Sequence, residues 1–297
     1  MLPSQTQRLL MLLAVVVGIP TWWWAAGFLP PADGLSGWAL SDSHAGLGRA
    51  AGLVLAAGLP AVIAAGLIAA AGNPLSGVCC VALAGVIAHH GSSIVGVARR
   101  AAELGNKAGS AAAVYHRLAI EMGVGIVMLT LLLVGLEAVR AIVRDRVPHR
   151  LQSRHLGGTV HLCKINGQSL IAGVITAAVG GVLTAVLVQS DNPQQVTGGL
   201  VLAFTLASLI GHAVVPNDRP WATLVAPALV GIVGYIWTAR QLGTTDTPDA
   251  LLSALYTDAL PGLALGLPLH YLTAGVLGCA IGIGIGQVIE KAKLGEV

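Results

Sequence analysis

Long apolar runs alternate with short clusters of charge along this chain, and the lengths of the runs predict helices that cross a bilayer. No charged residue occurs from Ala50 to Ala98, and the stretches Lys164 to Asp191, Asp191 to Asp218 and Arg219 to Arg240 each enclose a neutral run. A membrane-crossing helix needs about 20 mostly apolar residues. On that basis spans fall near 9–28, 50–71, 77–97, 119–141 and 268–289, with one more inside each of the three enclosed runs. The run from Ala50 divides at Asn73-Pro74, a turn signal, into a hairpin of two spans. In the neutral run 259–289, Pro261 and Pro268 set a short interfacial piece ahead of the last span. The predicted fold class is all-α: a polytopic transmembrane helix bundle of about eight spans, one integral membrane domain over 1–297. If 77–97 re-enters instead of crossing, the count falls to seven.

Two segments interrupt the spans. Residues 99–118 are alanine-rich and charged at intervals, which predicts a helix at the interface or an extension of a span. Residues 142–167 are the longest polar stretch, and Arg140, Arg144, Arg146, Arg150, Arg154 and Lys164 lie in or beside it. Lys and Arg in short loops favour the cytoplasmic side, so this loop and both termini are expected inside a cell (inner) membrane. The cost is that Arg99, Arg100, Lys107 and Arg117 fall outside. The start, Arg8 followed by LLMLLAVVVGIP, resembles a signal peptide. However, TWWWAAGF stands where a small-residue cleavage site belongs, so a retained first span with tryptophans at the headgroup boundary is expected.

Composition agrees: 55% of residues are hydrophobic and 10% charged, against about 25% charged in soluble domains. A net charge of +3 with no basic stripe and no interleaved aromatics gives nucleic-acid binding no support. Cys79, Cys80, Cys163 and Cys279 form no paired short spacing and read as small buried hydrophobes. No cluster typical of membrane hydrolases or transferases appears, so the chain is not expected to be an enzyme.

Ionisable residues inside spans are costly and mark candidate sites. The stretch LAGVIAHHGSS (83–93) contributes His89, His90, Ser92 and Ser93, and later spans add His212 and His270. Adjacent helical residues point about 100° apart, so His89 and His90 converge only if the helix opens. Gly91 with the following serines is a tolerated kink point. An opening there would set carbonyls and hydroxyls beside imidazoles, a candidate polar intramembrane site for a cation or proton. The competing reading is a close helix contact with histidine bonding across it. Glu121 follows Arg117 by four residues and Glu137 precedes Arg140 by three, so both are expected to pair on one helix face near a span end. No cofactor or metal is otherwise expected. The one haem alternative is a b-type haem between His212 and His89 or His90. The spacing of His149, His155, His161 and Cys163 matches no zinc pattern. Arg144, Arg146, Arg150, Arg154 and Lys164 are candidates for contact with anionic headgroups.

Two patterns bear on packing. LAGVIAH (83–89) resembles LASLIGH (206–212), and each follows an Asn-Pro turn, which fits a weak inverted repeat. Gly278, Gly282 and Gly286, spaced four apart, predict close helix approach, and because the glycines of this last span cover more than one side they also mark a candidate homo-oligomer face. The first functional expectation is a channel or transporter for a small solute or ion. A non-catalytic subunit or scaffold of a membrane complex is the alternative, and a b-haem redox protein stands third. The expected partners are the lipid bilayer and further copies or subunits.

Overall fold

The computed structural model describes residues 73–88, 93–104, 109–144, 161–243 and 247–293, with scattered helical positions between Leu12 and Gly66. Its helices are α1 Pro74–Ala88, α2 Ile94–Leu104, α3 Ala111–Arg144, α4 Gly167–Leu187, α5 Pro193–Val214, α6 Trp221–Leu242, α7 Pro248–Tyr256 and α8 Pro268–Lys293. A single 3₁₀ turn, Gly262–Ala264, precedes α8, and there is no strand among the described residues. Five of these helices (α3, α4, α5, α6 and α8) are long and apolar enough to cross a membrane. They mark the chain as an integral membrane protein built as a helical bundle.

Local chemistry sets the helix starts. Asn73 accepts the Leu75 N–H at 3.0 Å, and Pro74 follows at the first helical position. Asn192 accepts the Gln194 N–H at 2.9 Å, with Pro193 in the same place. Both Asn-Pro turn signals are thus N-caps with the proline where its missing N–H costs nothing. Asn166 does the same for α4, accepting from Ser169 at 2.7 Å.

Two boundaries differ from the sequence expectation. The span expected at 77–97 is interrupted at Ser93, which is not helical and whose hydroxyl accepts the Val95 N–H at 3.1 Å to cap the start of α2 at Ile94. The 99–118 segment is divided between the end of α2 and the first two turns of α3. Gly109 makes the turn with φ of 84°, a left-handed conformation glycine adopts without a Cβ clash, and Ser110 caps α3 through the Ala113 N–H. The span expected from residue 119 therefore starts eight residues earlier, at Ala111.

Side-chain contacts give the helix directions. Gly278 faces Val201, Gly282 faces Thr205 and Ser208, and Gly286 faces His212, so α5 and α8 run parallel. Gly180 meets Phe204 and Gly211 meets Thr176, so α4 and α5 are antiparallel. Tyr115 pairs with Tyr235 and Met122 meets Gly231, so α3 and α6 are antiparallel too. Helix α1 lies antiparallel to α8, with Asn73 bonded to Gln287 at 3.0 Å and Gly85 against Thr273. One end of the bundle thus gathers the C-termini of α3, α5 and α8 and carries Arg140, Lys164, Arg219, Lys291 and Lys293; it is called the basic end here. At the opposite end α2 buries Ile94, Val97, Ala98 and Ala101 and packs on α7. Arg99 on its polar face donates to the Tyr256 hydroxyl at 3.3 Å, which raises the guanidinium pKa.

The glycine stripe of α8 makes the close helix approach its spacing predicted, turned onto α5 of the same chain. A Cβ on Gly278 would stand 2.5 Å from the Val201 carbonyl, and one on Gly282 would strike the Ser208 hydroxyl and the Thr205 carbonyl. In lipid, where burial does not drive helices together, such close approach is the main source of contact energy. Gly284, on another side of α8, has nothing within 4 Å. Gly282→Ala is expected to destabilise the detergent-solubilised protein by about 1–3 kcal/mol. Gly284→Ala should stay within about 0.5 kcal/mol of wild type, and thermal unfolding of both variants checks the contrast.

Candidate functional site

The approach to α8 is irregular backbone buried inside the bundle. Pro261 and Pro268 deny the ladder two N–H donors, and the intervening chain makes one 3₁₀ turn before α8 starts. Ala264, Leu265 and Leu267 are all buried. Gly262 lies against the carbonyls of Val188 and Thr184, and Gly234 against Leu263, positions at which a Cβ would not fit. Irregular backbone at membrane depth persists only where protein satisfies its polar groups.

Three tyrosines satisfy them. Tyr115 donates to the Ala264 carbonyl at 3.4 Å, Tyr271 to Leu263 at 2.8 Å, and Tyr235 to Gly266. All three side chains are fully buried, with ring centroids 6.0 Å apart for Tyr115–Tyr235 and 6.3 Å for Tyr235–Tyr271, the second pair edge to face. The first turns of α8 depart from regular geometry as well. Residues Tyr271–Gly275 form a π-helical turn, and the Thr273 hydroxyl donates to the Leu269 carbonyl at 2.6 Å. Gly275 admits Pro227, which interrupts the ladder of α6 at the same level. Single π turns inside α-helices are frequent at functional sites.

Glu121 sits beside this arrangement. Its neighbour Met122 meets Gly231, halfway along the 22 residues of α6, so the carboxyl lies near the middle of the bundle. It is 1% exposed and lies within electrostatic range of Tyr235. The expectation of a Glu121 near a span end, paired with Arg117, is corrected on position: α3 extends two turns further, and Arg117 stays exposed while Glu121 turns inward.

The other expected site residues are not brought together among the described residues. His89, His90 and Ser92 lie outside the described residues. Ser93 caps α2 at the end opposite the basic one, 3.5 Å from the Asp191 carbonyl. His270 is buried, and its Nδ1 accepts the Leu267 N–H at 3.0 Å, which closes the start of α8 and puts the proton of the neutral ring on Nε2. His212 lies in the last turn of α5 at the basic end, beside Gly286. Gly85, near the end of α1, instead meets Thr273, about 20 Å back along α8 at 1.5 Å per residue. Of the basic residues expected at headgroups, Lys164 is exposed and Arg144 ends α3, whereas Arg146, Arg150 and Arg154 lie outside the described residues.

A second polar cluster stands at the basic end. Glu137 Oε1 is 3.5 Å from His161 Nδ1, and the Cys163 thiol also bonds to Glu137. Partial burial, then the charge of Glu137 and this hydrogen bond, push the thiol up to about 12. The backbone N–H of His161 bonds to the Asp218 carbonyl at 3.2 Å, which pins the entry to α4 onto the loop before α6. No group of three His, Cys, Asp or Glu side chains is arranged to hold a metal ion among the described residues.

Aromatics spread along a sequence read as interfacial anchors, so the tyrosine cluster was not foreseen. Its trace is PGLALGLP (261–268), a doubly proline-bounded, glycine-spaced piece in a neutral run too long for one span. No protein family, no curated protein and no solved structure matches the chain.

Tyr235→Phe leaves the Gly266 carbonyl without its phenol donor and is expected to cost about 1–3 kcal/mol, measured by thermal unfolding in detergent. Cys163 should alkylate slowly at pH 8, because a thiol pushed up to about 12 holds little thiolate. Glu137→Gln removes the charge that raises it, so the rate of maleimide labelling should rise.

Proposed function

We propose that this integral membrane protein moves a small solute or ion across the bilayer, using the interrupted entry to α8 and the buried Glu121 as its binding site. The observation that carries the reading is a carboxyl at mid-bundle depth beside irregular backbone. An ionisable group at such depth is costly to keep, and secondary transporters place substrate and ion sites where helices are broken near the midplane. The tyrosine hydroxyls hold the broken segment's carbonyls in place, so the site is preorganised while Glu121 supplies the exchangeable charge.

The proposed topology has eight spans in a cell (inner) membrane, with the basic end and both termini cytoplasmic. Lys164, Arg144, Arg146, Arg150 and Arg154 would then face anionic headgroups, at about 1 kcal/mol each. The second reading, a subunit of a membrane complex or a homo-oligomer, draws on one feature. An apolar groove of about 830 Å³ lies between α1, α8 and the N-terminal positions Leu12 and Val15, lined also by Leu75, Cys79, Leu83, Leu277 and Ile281, and offers apolar surface to a partner helix or a lipid tail.

Reconstitution into liposomes decides between them. Under an imposed membrane potential, wild-type protein should dissipate a proton, sodium or potassium gradient faster than protein-free vesicles. Glu121→Gln should slow that flux at least about tenfold, equivalent to some 1.4 kcal/mol. Equal fluxes through wild-type and Glu121→Gln vesicles would sink the role given to Glu121. Extraction in mild detergent as a stable larger assembly, with no flux, would favour the subunit reading.

A further inference from the structure

The contact between α5 and α8 ends, at the basic end, in a pair of ionisable groups that the transport reading does not use. His212 occupies the last turn of α5 and is 7% exposed; its Nε2 is fully buried and has no hydrogen-bond partner. The nearest carboxylate oxygen is Oε2 of Glu290 on α8, at 3.4 Å, and Glu290 itself is about half exposed. The ring lies over Gly286, where a Cβ would come within 2.5 Å of its Cδ2. On its other side a small cavity of about 10 Å³ is lined by His212, Asn217 and Thr223 together with Ala172, Pro220 and Ile283. That is close to the room one water molecule occupies.

We propose that His212 and Glu290 form a proton-binding site at the basic end, and that the bound proton clasps the end of α8 to the end of α5. The site stands apart from Glu121 and does not depend on the transport reading. A neutral imidazole with its hydrogen on Nδ1 leaves Nε2 facing a carboxylate that has nothing to donate when ionised, and one with its hydrogen on Nε2 offers only an uncharged donor. With both ring nitrogens protonated, the same contact becomes a charge-assisted hydrogen bond between imidazolium and carboxylate. The last turn of a helix adds to it, since its unpaired carbonyls carry partial negative charge and favour a cation. The cavity gives a water molecule a place beside the ring through which the proton can enter.

The groups facing the ring come from every element packed on it. Glu290 and Gly286 belong to α8, Ala172 to α4, Thr223 to α6, and Asn217 and Pro220 to the loop between α5 and α6. Glu290 is the ionisable one among them. Lys291 is the charge next to Glu290 in sequence, and Asp218 and Arg219 directly follow Asn217. Arg219 has its backbone N–H and carbonyl committed to Asn217 and Ser169. The clasp is therefore strongest while both ring nitrogens carry a proton and weakest when the ring is neutral.

Hydrogen–deuterium exchange of the purified full chain tests this at about pH 5.5 and about pH 8, the range in which histidines change charge. After correction for intrinsic exchange, residues 284–293 should exchange on the order of fivefold more slowly at the lower pH. Glu290→Gln should abolish that difference, while α6 peptides respond as in wild type. His212→Gln should do the same, but the buried position makes its folding uncertain, so the half-exposed Glu290 carries the test. A wild-type protein with no pH difference over 284–293, or one that Glu290→Gln leaves unchanged, overturns the proposal.

Discussion

Backbone carbonyls that leave a helix inside a membrane must find donors within the protein, and the chain before α8 meets that demand with three phenols. Tyr115 and Tyr235 come from two antiparallel spans, and Tyr271 from the helix the segment leads into. Each bond fixes a carbonyl and a ring together, and the rings then lean on one another. Without those donors the segment would have to become helical or leave the bundle. The places of α3, α6 and α8, and hence of Glu121 among them, follow from this requirement.

Glycine handles the remaining packing. Where α8 meets α5, and where α4 meets α5 and α6, hydrogen replaces a side chain and backbones come together. The result is a set of spans that need little interlocking of large residues. Hydroxyls such as those of Ser208, Thr176 and Thr238 are buried in the same contacts or turn back on their own helix. Polar atoms at depth are thus mostly spent on structure, and Glu121 is a buried carboxyl set among them.

The crossing helices were legible because run length and charge are local properties of the sequence. The caps were legible too, since Asn-Pro states both a side-chain acceptor and a helix start. The glycine stripe could be read because four-residue spacing places it on one face. The tyrosine cluster could not, because its members lie on three helices far apart in sequence and only tertiary packing brings their hydroxyls to one segment. Glu121 was misplaced for a subtler reason. The start of α3 depends on the turn at Gly109 and the cap at Ser110, and two extra turns carry a residue from the rim to the interior. His89, His90 and Ser92 showed what adjacency in sequence suggests. The described companions Ser93, His212 and His270 ended in three different places, each set by the helix end it serves.

Helix α3 has 34 residues, about 51 Å at 1.5 Å per residue, against a hydrocarbon core of about 30 Å. It therefore stands well proud of the bilayer or tilts within it. Glu121 and Glu137 lie on this one rod, separated by about 24 Å at the same rise. One helix thus runs from the buried Glu121, beside the tyrosines, to Glu137 at the entry to α4, where it meets His161 and Cys163.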